Sequence, residues 1–319
     1  MQLLRQVWQQ YYDLSGGTAK WRAGPQDSSG EGIIRSPYDP EARTGKKRET
    51  TWFGYRVHLT ETCAIETTEG VQAAVLPQLI VQVQTTVANL QDVDMTQVMQ
   101  EDLAQHQLLP TEQIVDTGYI DAELLVSSQQ QYGIKLVGPV LSDNSWQAKA
   151  DQGFDVAHFQ LDWQHLQATC PQGQRSARWS PAGDRMEVVF ASEVCAACPM
   201  RSACTQSQTT GRVLHLRPQA AHEALHARRQ EQQTQAFRQQ YATRAGIEGT
   251  HSQAVRRMGL RRARYDGLDK THVQHVLTAV AINLVRIDAV LTQTPRGTTR
   301  YSTFARLASH PALQAQSAA

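Results

Sequence analysis

From Thr51 to Val140 the chain switches repeatedly between two hydrophobic rhythms, and this switching restricts the fold more than any other stretch. Residues 51–63, TWFGYRVHLTETC, set Tyr55, Val57 and Leu59 against Arg56, His58 and Thr60, the period of a half-buried strand. Residues 78–87, QLIVQVQTTV, predict a second strand with Ile80 or Val81 and Val83 inward. A helix is predicted over 94–108, where Met95, Val98, Met99 and Leu103 share a face. Residues 112–116, EQIVD, read as a short apolar strand ending in Asp116, and Thr117-Gly118-Tyr119 turns the chain. A helix over 120–132 and a strand over 134–140 follow. Two strands, then helix, strand, helix and strand, is an α/β pattern. In open α/β sheets chemistry lies beyond the carboxyl ends of the strands. Asp116 stands at one such end and Asp92 at the exit of another.

The flanks divide the rest. With 319 residues, the chain is long enough for one large domain with an insertion or for two domains. Residues 1–50 predict a helix over 1–15, with Leu3, Leu4, Val7 and Trp8 at helical spacing, and an exposed loop over 16–50 rich in Gly, Ser and Pro. Within that loop Ser36–Arg43 is a Pro-bounded turn, and its Asp39 is either a ligand or an Asx-type turn residue. Residues 51–140 form the first α/β part. Residues 141–215 break the rhythm and read as a β-rich insertion. It holds Cys170, Cys195, Cys198 and Cys204, four of the five cysteines. Cys195 and Cys198 have the C-x2-C spacing that brings two thiolates to one tetrahedral zinc ion, with Cys204 and Cys170 to complete it; buried thiols without metal are the other reading. Residues 216–292 return to helix: Pro218 suits a first helical position, and no breaker follows before Gly246. Over 270–291 the residues Val273, Val276, Leu277, Val280, Ala281 and Leu284 keep the i, i+3, i+4, i+7 rhythm, which predicts a face packed against the sheet. Residues 293–319 read as a disordered tail.

Charge points to the partner. The formal net charge is only +1, so a nucleic-acid reading must rest on local distribution. From Gly211 to Lys270 there are 12 lysines and arginines against 5 acids, a local excess of 12 − 5 = +7. In the middle of this window Tyr241, Arg244 and Glu248 are three and four apart, so on a helix they share one face. A carboxylate among cations suits a site where it holds a divalent metal while the cations hold phosphates. The plain alternative is a surface Arg–Glu pair worth a few tenths of a kcal/mol. No run of about 18 apolar residues predicts a transmembrane helix, and no apolar signal core follows the initiating Met. A cytosolic chain would keep its cysteines as thiols or metal ligands.

The segments GYRVHLTETC, VDTGY, the cysteine-bearing insertion, YATRAGIEGTHSQAVRRMGLRRARY and DKTHVQHVLTAVAINLVR, in that order, resemble a bacterial insertion-sequence transposase. The similarity is to DDE transposases of the IS1182 kind, within the wider IS4/IS5-like set, and runs from Ser36 to Leu291. It implies an RNase H-like fold, a mixed sheet with flanking helices. There, two aspartates and a glutamate converge on two Mg²⁺ ions for cleavage and strand transfer at insertion-sequence ends. Asp116 matches the second aspartate. Glu248 matches the glutamate of a Y-x2-R-x3-E signature carried by Tyr241, Arg244 and Glu248. The basic residue often found seven beyond the glutamate is replaced here by Val255, with Arg256 and Arg257 following. The resemblance implies that Arg244, Arg256 and Arg257 position phosphates and that Arg261, Arg262 and Arg264 add a sequence-independent grip. Its implied partners are terminal inverted-repeat and target DNA and a second copy on that DNA, with no membrane, in a nucleoid-associated cytoplasmic protein. The family's first aspartate lies on an early strand that is not found here, since Asp13, Asp27 and Asp39 fall in a helix end or loops. The chain therefore reads as a carboxy-terminal portion, incomplete at the first strand and weakly active or inactive alone, unless Asp92 or Asp39 supplies the third carboxylate. Rival readings are a non-catalytic DNA-binding remnant or regulator, and a nuclease that nicks without joining.

Overall fold

A computed structural model describes residues 2–25, 32–63 and 77–294. Helix α1 (Gln2–Tyr11) is followed by a small hairpin of β1 (Tyr12–Asp13) and β2 (Lys20–Trp21). The expected helix to residue 15 thus ends early. Its one buried residue is Gln10, whose side chain bonds the backbone of Gly32 and Ile34, while Leu4 and Trp8 stay exposed. The expected loop over 16–50 also holds β3 (Arg43–Lys47), which pairs antiparallel with the start of β4 (Thr50–Glu61). Asp27 lies outside the described residues.

The second half of β4, Tyr55–Glu61, pairs antiparallel with β5 (Ile80–Val87). One face of this pair presents Val57, Leu59 and Val83 to helices α9 (Ala245–Met258) and α10 (Leu268–Leu291), closing a core around Ile80, Ala254, Leu260, Ala279 and Ile282. The other face was expected to be solvated, yet His58, Gln82 and Thr86 there are buried. Helix α2 (Val93–Gln105) covers it, and each polar group finds a protein partner: Gln82 donates to Met99 O at 2.8 Å, and His58 lies 2.9 Å from Thr86 Oγ1. Alternation therefore marked two faces correctly but not their solvation, because buried polar groups cost little once hydrogen-bonded. On α2, Met95, Met99 and Leu103 are buried as expected, and Val98 is exposed.

A separate parallel pair follows. β6 (Glu112–Ile114) lies beside β7 (Lys135–Val137), joined by a 3₁₀ turn at Thr117–Tyr119 and helix α3 (Ala122–Tyr132). Asp121 caps α3 by accepting from Leu124 N–H at 2.7 Å, and Gly133 ends it with φ 68°, a left-handed conformation that glycine adopts without a Cβ penalty. Val115, Ile120, Leu124, Ile134, Leu136 and Val140 form the core beneath.

After β7 come short strands and three short α-helices, α4 (Trp146–Ala150), α5 (Ser192–Ala196) and α6 (Arg201–Cys204). Strands β8 (Gln160–Asp162) and β9 (Gln167–Thr169) form a hairpin. Strands β10 (Arg178–Ala182), β11 (Arg185–Val189) and β12 (Val213–Leu216) form an antiparallel sheet around Val188, Phe190, Leu214 and Leu216. Cys170, Cys195, Cys198 and Cys204 all line one small cleft beside this core and are free thiols. Cys195 Sγ accepts from Arg212 N–H and Cys170 Sγ from Gln174 N–H, both at 3.4 Å, and burial pushes the Cys204 thiol up to about 11. Among the described residues no three His, Cys, Asp or Glu side chains are arranged to hold a metal ion. The zinc reading therefore has no geometric support, and the four thiols are partly buried.

The predicted unbroken helix from 218 is three helices: α7 (Gln219–Glu231), α8 (Gln235–Ala242) and α9. Thr234 caps α8, so the first break falls at a capping threonine, and Gly246 lies inside α9. Helix α10 carries the largest correction. The residues it buries are Thr271, Gln274, His275, Ala279 and Ile282, whereas Val273, Leu277, Val280 and Leu284 of the expected core stripe are exposed. Asn283 makes two 2.8 Å hydrogen bonds to the backbone of Ile80, one given and one received, and so fixes the helix on β5 by a polar edge. The expected RNase H-like sheet is not reproduced as such: the described strands form several small sheets in a mixed α/β fold. The expected tail falls almost wholly outside the described residues.

Four histidines, His58, His222, His251 and His275, have depressed pKa values, in each case mainly through burial. His275, reinforced by neighbouring His272, falls from 6.5 to about 4. Above pH 6.5 it is neutral folded or unfolded. Between 6.5 and about 4 only the unfolded chain takes up the proton, so stability falls as pH falls. The melting temperature is expected to drop by several degrees from pH 7.5 to pH 5, with a shallower slope in His275→Gln. Equal slopes in the two proteins would exclude His275 as a source.

Candidate active site

Asp116 closes β6 in extended backbone and caps the following turn, its Oδ1 accepting from Thr117 N–H at 2.8 Å. Arg244 reaches it from the joint between α8 and α9. Its Nη2 lies 3.3 Å from Asp116 Oδ2 and its Nη1 3.0 Å from Glu248 Oε1. One guanidinium thus bridges two carboxylates from distant parts of the chain. Arg244 is 21 % exposed, Asp116 51 % and Glu248 70 %, so the carboxylates face solvent while the cation is held beneath. The guanidinium lies over the Tyr241 ring, 6.0 Å from its centroid, and that ring stacks on Phe237. Burial raises the Tyr241 hydroxyl pKa. The helix breaks between Tyr241 and Glu248, yet the three residues remain together, because Arg244 N–H bonds Tyr241 O across the joint at 3.1 Å.

Asp92 stands next to this group. A Cβ placed on Gly118 would come within 3.2 Å of Asp92 Oδ2, so a larger residue would push the Asp92 carboxylate back by a few tenths of an ångström. Asp92 is engaged by Arg56 Nη1 at 2.9 Å. Tyr119, in the same turn, places its hydroxyl 2.6 Å from His58 Nδ1, and Thr96 donates to Tyr119 O at 2.6 Å. Burial raises the Tyr119 pKa and lowers that of His58, so a neutral pair orients the turn. Asp39 does not join them. It accepts from Tyr55 Oη at 2.6 Å and from Ala42 N–H at 3.3 Å, a turn-holding role.

A buried anchor missed by sequence reasoning positions α9. Glu61, only 5 % exposed at its side chain, accepts from Arg286 Nη1 at 3.0 Å and from Thr250 Oγ1 at 2.5 Å. Arg286 also bonds Thr250 and donates to Gln78 O at 2.6 Å. Gly246 lets α9 come down on this group, since a Cβ there would stand 3.2 Å from Glu61 Oε1. Arg286 sits in an apolar helical run, and its isolation there was the available signal: a lone cation in such a run needs a buried partner.

Between the end of β4 and β6 lies a cleft of about 690 Å³, lined by Leu59, Thr60, Met99, Ile114, Asp116 and Arg244 among others. Tyr55–Glu61 pairs with β5 alone and β6 with β7 alone, so each strand has a second edge unpaired among the described residues. Beyond Glu248, Arg256, Arg257, Arg261, Arg262 and Arg264 are all exposed, and Gly259 ends α9 with φ 68°. These five arginines run from the last turn of α9 into the following loop.

Asp116 and Glu248 are hard oxygen donors of the kind that suits Mg²⁺. They fit in type but not in number, because the described residues contain no three-donor cluster able to hold a metal.

Residues 169–288 match the family model described as a transposase DDE domain. No match was found among curated proteins or among solved structures. The matched span includes Arg244 and Glu248 and stops short of Asp116. On the stretch that carries the Tyr241, Arg244 and Glu248 constellation, the family match supports a DDE transposase.

Proposed function

We propose that this chain carries a transposase catalytic site in which Asp116 and Glu248 act as ligands of a divalent cation, Mg²⁺ in the cell. The observation that carries this reading is the Arg244 bridge, which brings together two carboxylates picked from separate motifs. Mg²⁺ bound there would supply Lewis-acid stabilisation of the charge that develops on phosphodiester oxygens. Arg244 holds the two carboxylates in register. Arg256 and Arg257 would position phosphates, and Arg261, Arg262 and Arg264 would add salt-dependent affinity for DNA ends and target DNA. The cleft beside Asp116 is where an additional β-strand would satisfy both unpaired edges and bring a third carboxylate. Asp92, already beside the 117–119 turn, is the alternative donor if Arg56 releases it. The IS1182 kinship, an RNase H-like core, a dimeric assembly on DNA and a nucleoid location are parts of the same proposal.

The test uses the isolated chain and inverted-repeat DNA. With EDTA, binding is expected to be strongly salt-sensitive; replacing the five exposed arginines by alanine should flatten log K against log salt by about 0.9 for each phosphate no longer neutralised. With Mg²⁺, cleavage is expected to be weak or absent. Robust cutting abolished by Glu248→Ala would also support the reading and assign the third carboxylate to this chain. Cutting indifferent to both Asp116→Asn and Glu248→Ala, or a lack of salt-sensitive binding, would exclude it.

A further inference from the structure

Helix α10 has a second apolar stripe, on the side away from its own sheet. Val273, Leu277, Val280, Leu284, Ile287 and Leu291 are 55, 62, 47, 61, 37 and 77 % exposed. Their spacing is four, three, four, three, four. This is a strict 3.5-residue seam, the repeat that selects another helix as its occupant rather than a sheet. The rest of the helix is already used: Asn283, beside the seam, is bonded to Ile80, and on the far side Arg286 is bonded to Glu61 and His275 to Thr85 at 2.8 Å. The helix is long and apolar enough to cross a membrane by length and composition, but those bonds fasten it along one side to the domain.

We propose that this seam pairs with the same seam of a second copy, in antiparallel orientation. The residue order supports self-pairing. About a two-fold axis between Val280 and Leu284, Val273 faces Leu291, Leu277 faces Ile287 and Val280 faces Leu284. Every layer then joins one leucine to one β-branched residue and has nearly the same volume, whereas a parallel pair would alternate Leu–Leu with smaller Val–Val layers. The residues flanking the seam on either side, Gln274, Val276, Ala281, Asn283, Asp288 and Val290, include one charged residue, so two copies meet without a ladder of like charges. Covering the six seam residues removes on the order of 600 Å² per protomer, and the flanking valines add to it, close to the ~800 Å² per partner of a standard interface. A patch of this size stands at the upper end of about 300–600 Å² for the largest apolar patch of a monomer, and such patches are often functional. The pairing needs neither DNA nor metal and stands apart from the transposase reading.

Sedimentation or light scattering of the full chain, without DNA, tests it. The wild type is expected to be a dimer at micromolar concentration, and Leu277→Lys/Leu284→Lys a monomer with an unchanged circular dichroism spectrum, its dissociation constant raised at least ~100-fold. A wild type that stays monomeric at ~100 μM, whether residues 295–319 or a lipid surface cover the seam instead, overturns the proposal. So does a lysine variant that remains dimeric. Should the lysine variant fail to fold, oxidative cross-linking decides. A mixture of Val280→Cys and Leu284→Cys chains is expected to cross-link beyond the wild-type level contributed by the native cysteines, and neither variant is expected to do so alone. No excess cross-link in the mixture, or one in each variant alone, refutes the antiparallel seam.

Discussion

An Arg286→Ala chain is expected to lose about 3–5 kcal/mol of stability, because the substitution removes one partner of a buried charge pair and leaves the other unpaired. Glu61 is the stranded group. With its side chain 5 % exposed, Glu61 would keep the bond from Thr250 but lose its charged partner. The same change frees α9, since Arg286 touches both Glu61 of β4 and Thr250 of α9. Urea denaturation measures the loss. A double-mutant cycle with Glu61→Gln separates it from lost packing: the double variant should be more stable than Arg286→Ala alone, because a neutral amide costs less to bury. A single variant within 1 kcal/mol of wild type would mean that water reaches Glu61 and that the network does not anchor the helix bearing Glu248.

The second large effect is on cation binding. Arg244→Gln is expected to raise Mn²⁺ affinity about tenfold, equivalent to roughly 1.4 kcal/mol, since the guanidinium and the ion compete for the same two carboxylates. The competition is winnable because both acids are largely exposed and each exposed ion pair contributes no more than about 1 kcal/mol. Adding Asp116→Asn or Glu248→Gln to Arg244→Gln should return the affinity to the wild-type level or below. Electron paramagnetic resonance of free Mn²⁺ reads this directly and does not depend on DNA cleavage. If Arg244→Gln binds no more tightly, and neither acid variant weakens it, the two carboxylates do not form part of a cation site. Arg244→Lys is expected to bind Mn²⁺ more like Arg244→Gln than like wild type, because the bridge uses two separate guanidinium nitrogens and an ammonium is a single point charge.

Local rules fared well where a motif is also a local structure. Asp116 followed by Thr-Gly-Tyr is a strand end and a turn for a local reason, the aspartate capping the turn, while the approach of Asp92 to Gly118 is a tertiary contact. The helices over 93–105 and 122–132 lie close to where periodicity predicted them. Asp39, weighed as a ligand or a turn residue, holds a turn through a local contact, its bond to Ala42 N–H three residues on. The failures came where burial depends on a distant partner. β4 looked half-solvated, yet α2 covers its polar face and supplies bonds to Gln82. α10 looked like a core helix with an inward stripe of Val273, Leu277, Val280 and Leu284. The structure buries the opposite side, since Asn283 and Arg286 find their hydrogen bonds only there. Periodicity reports that a helix has an apolar face and carries no information on which surface covers it.

By itself, the sequence determined the α/β rhythm, the basic stretch and the closeness of Tyr241, Arg244 and Glu248, because each depends on residues a few positions apart. The tertiary structure alone decided that Asp116 and Glu248 share one guanidinium, that a buried Glu61–Arg286 pair fixes the helix bearing Glu248, and that the seam of α10 faces outward. Those contacts join residues far apart in the chain, and their energies arise only when folding brings buried charges and carbonyls to their partners.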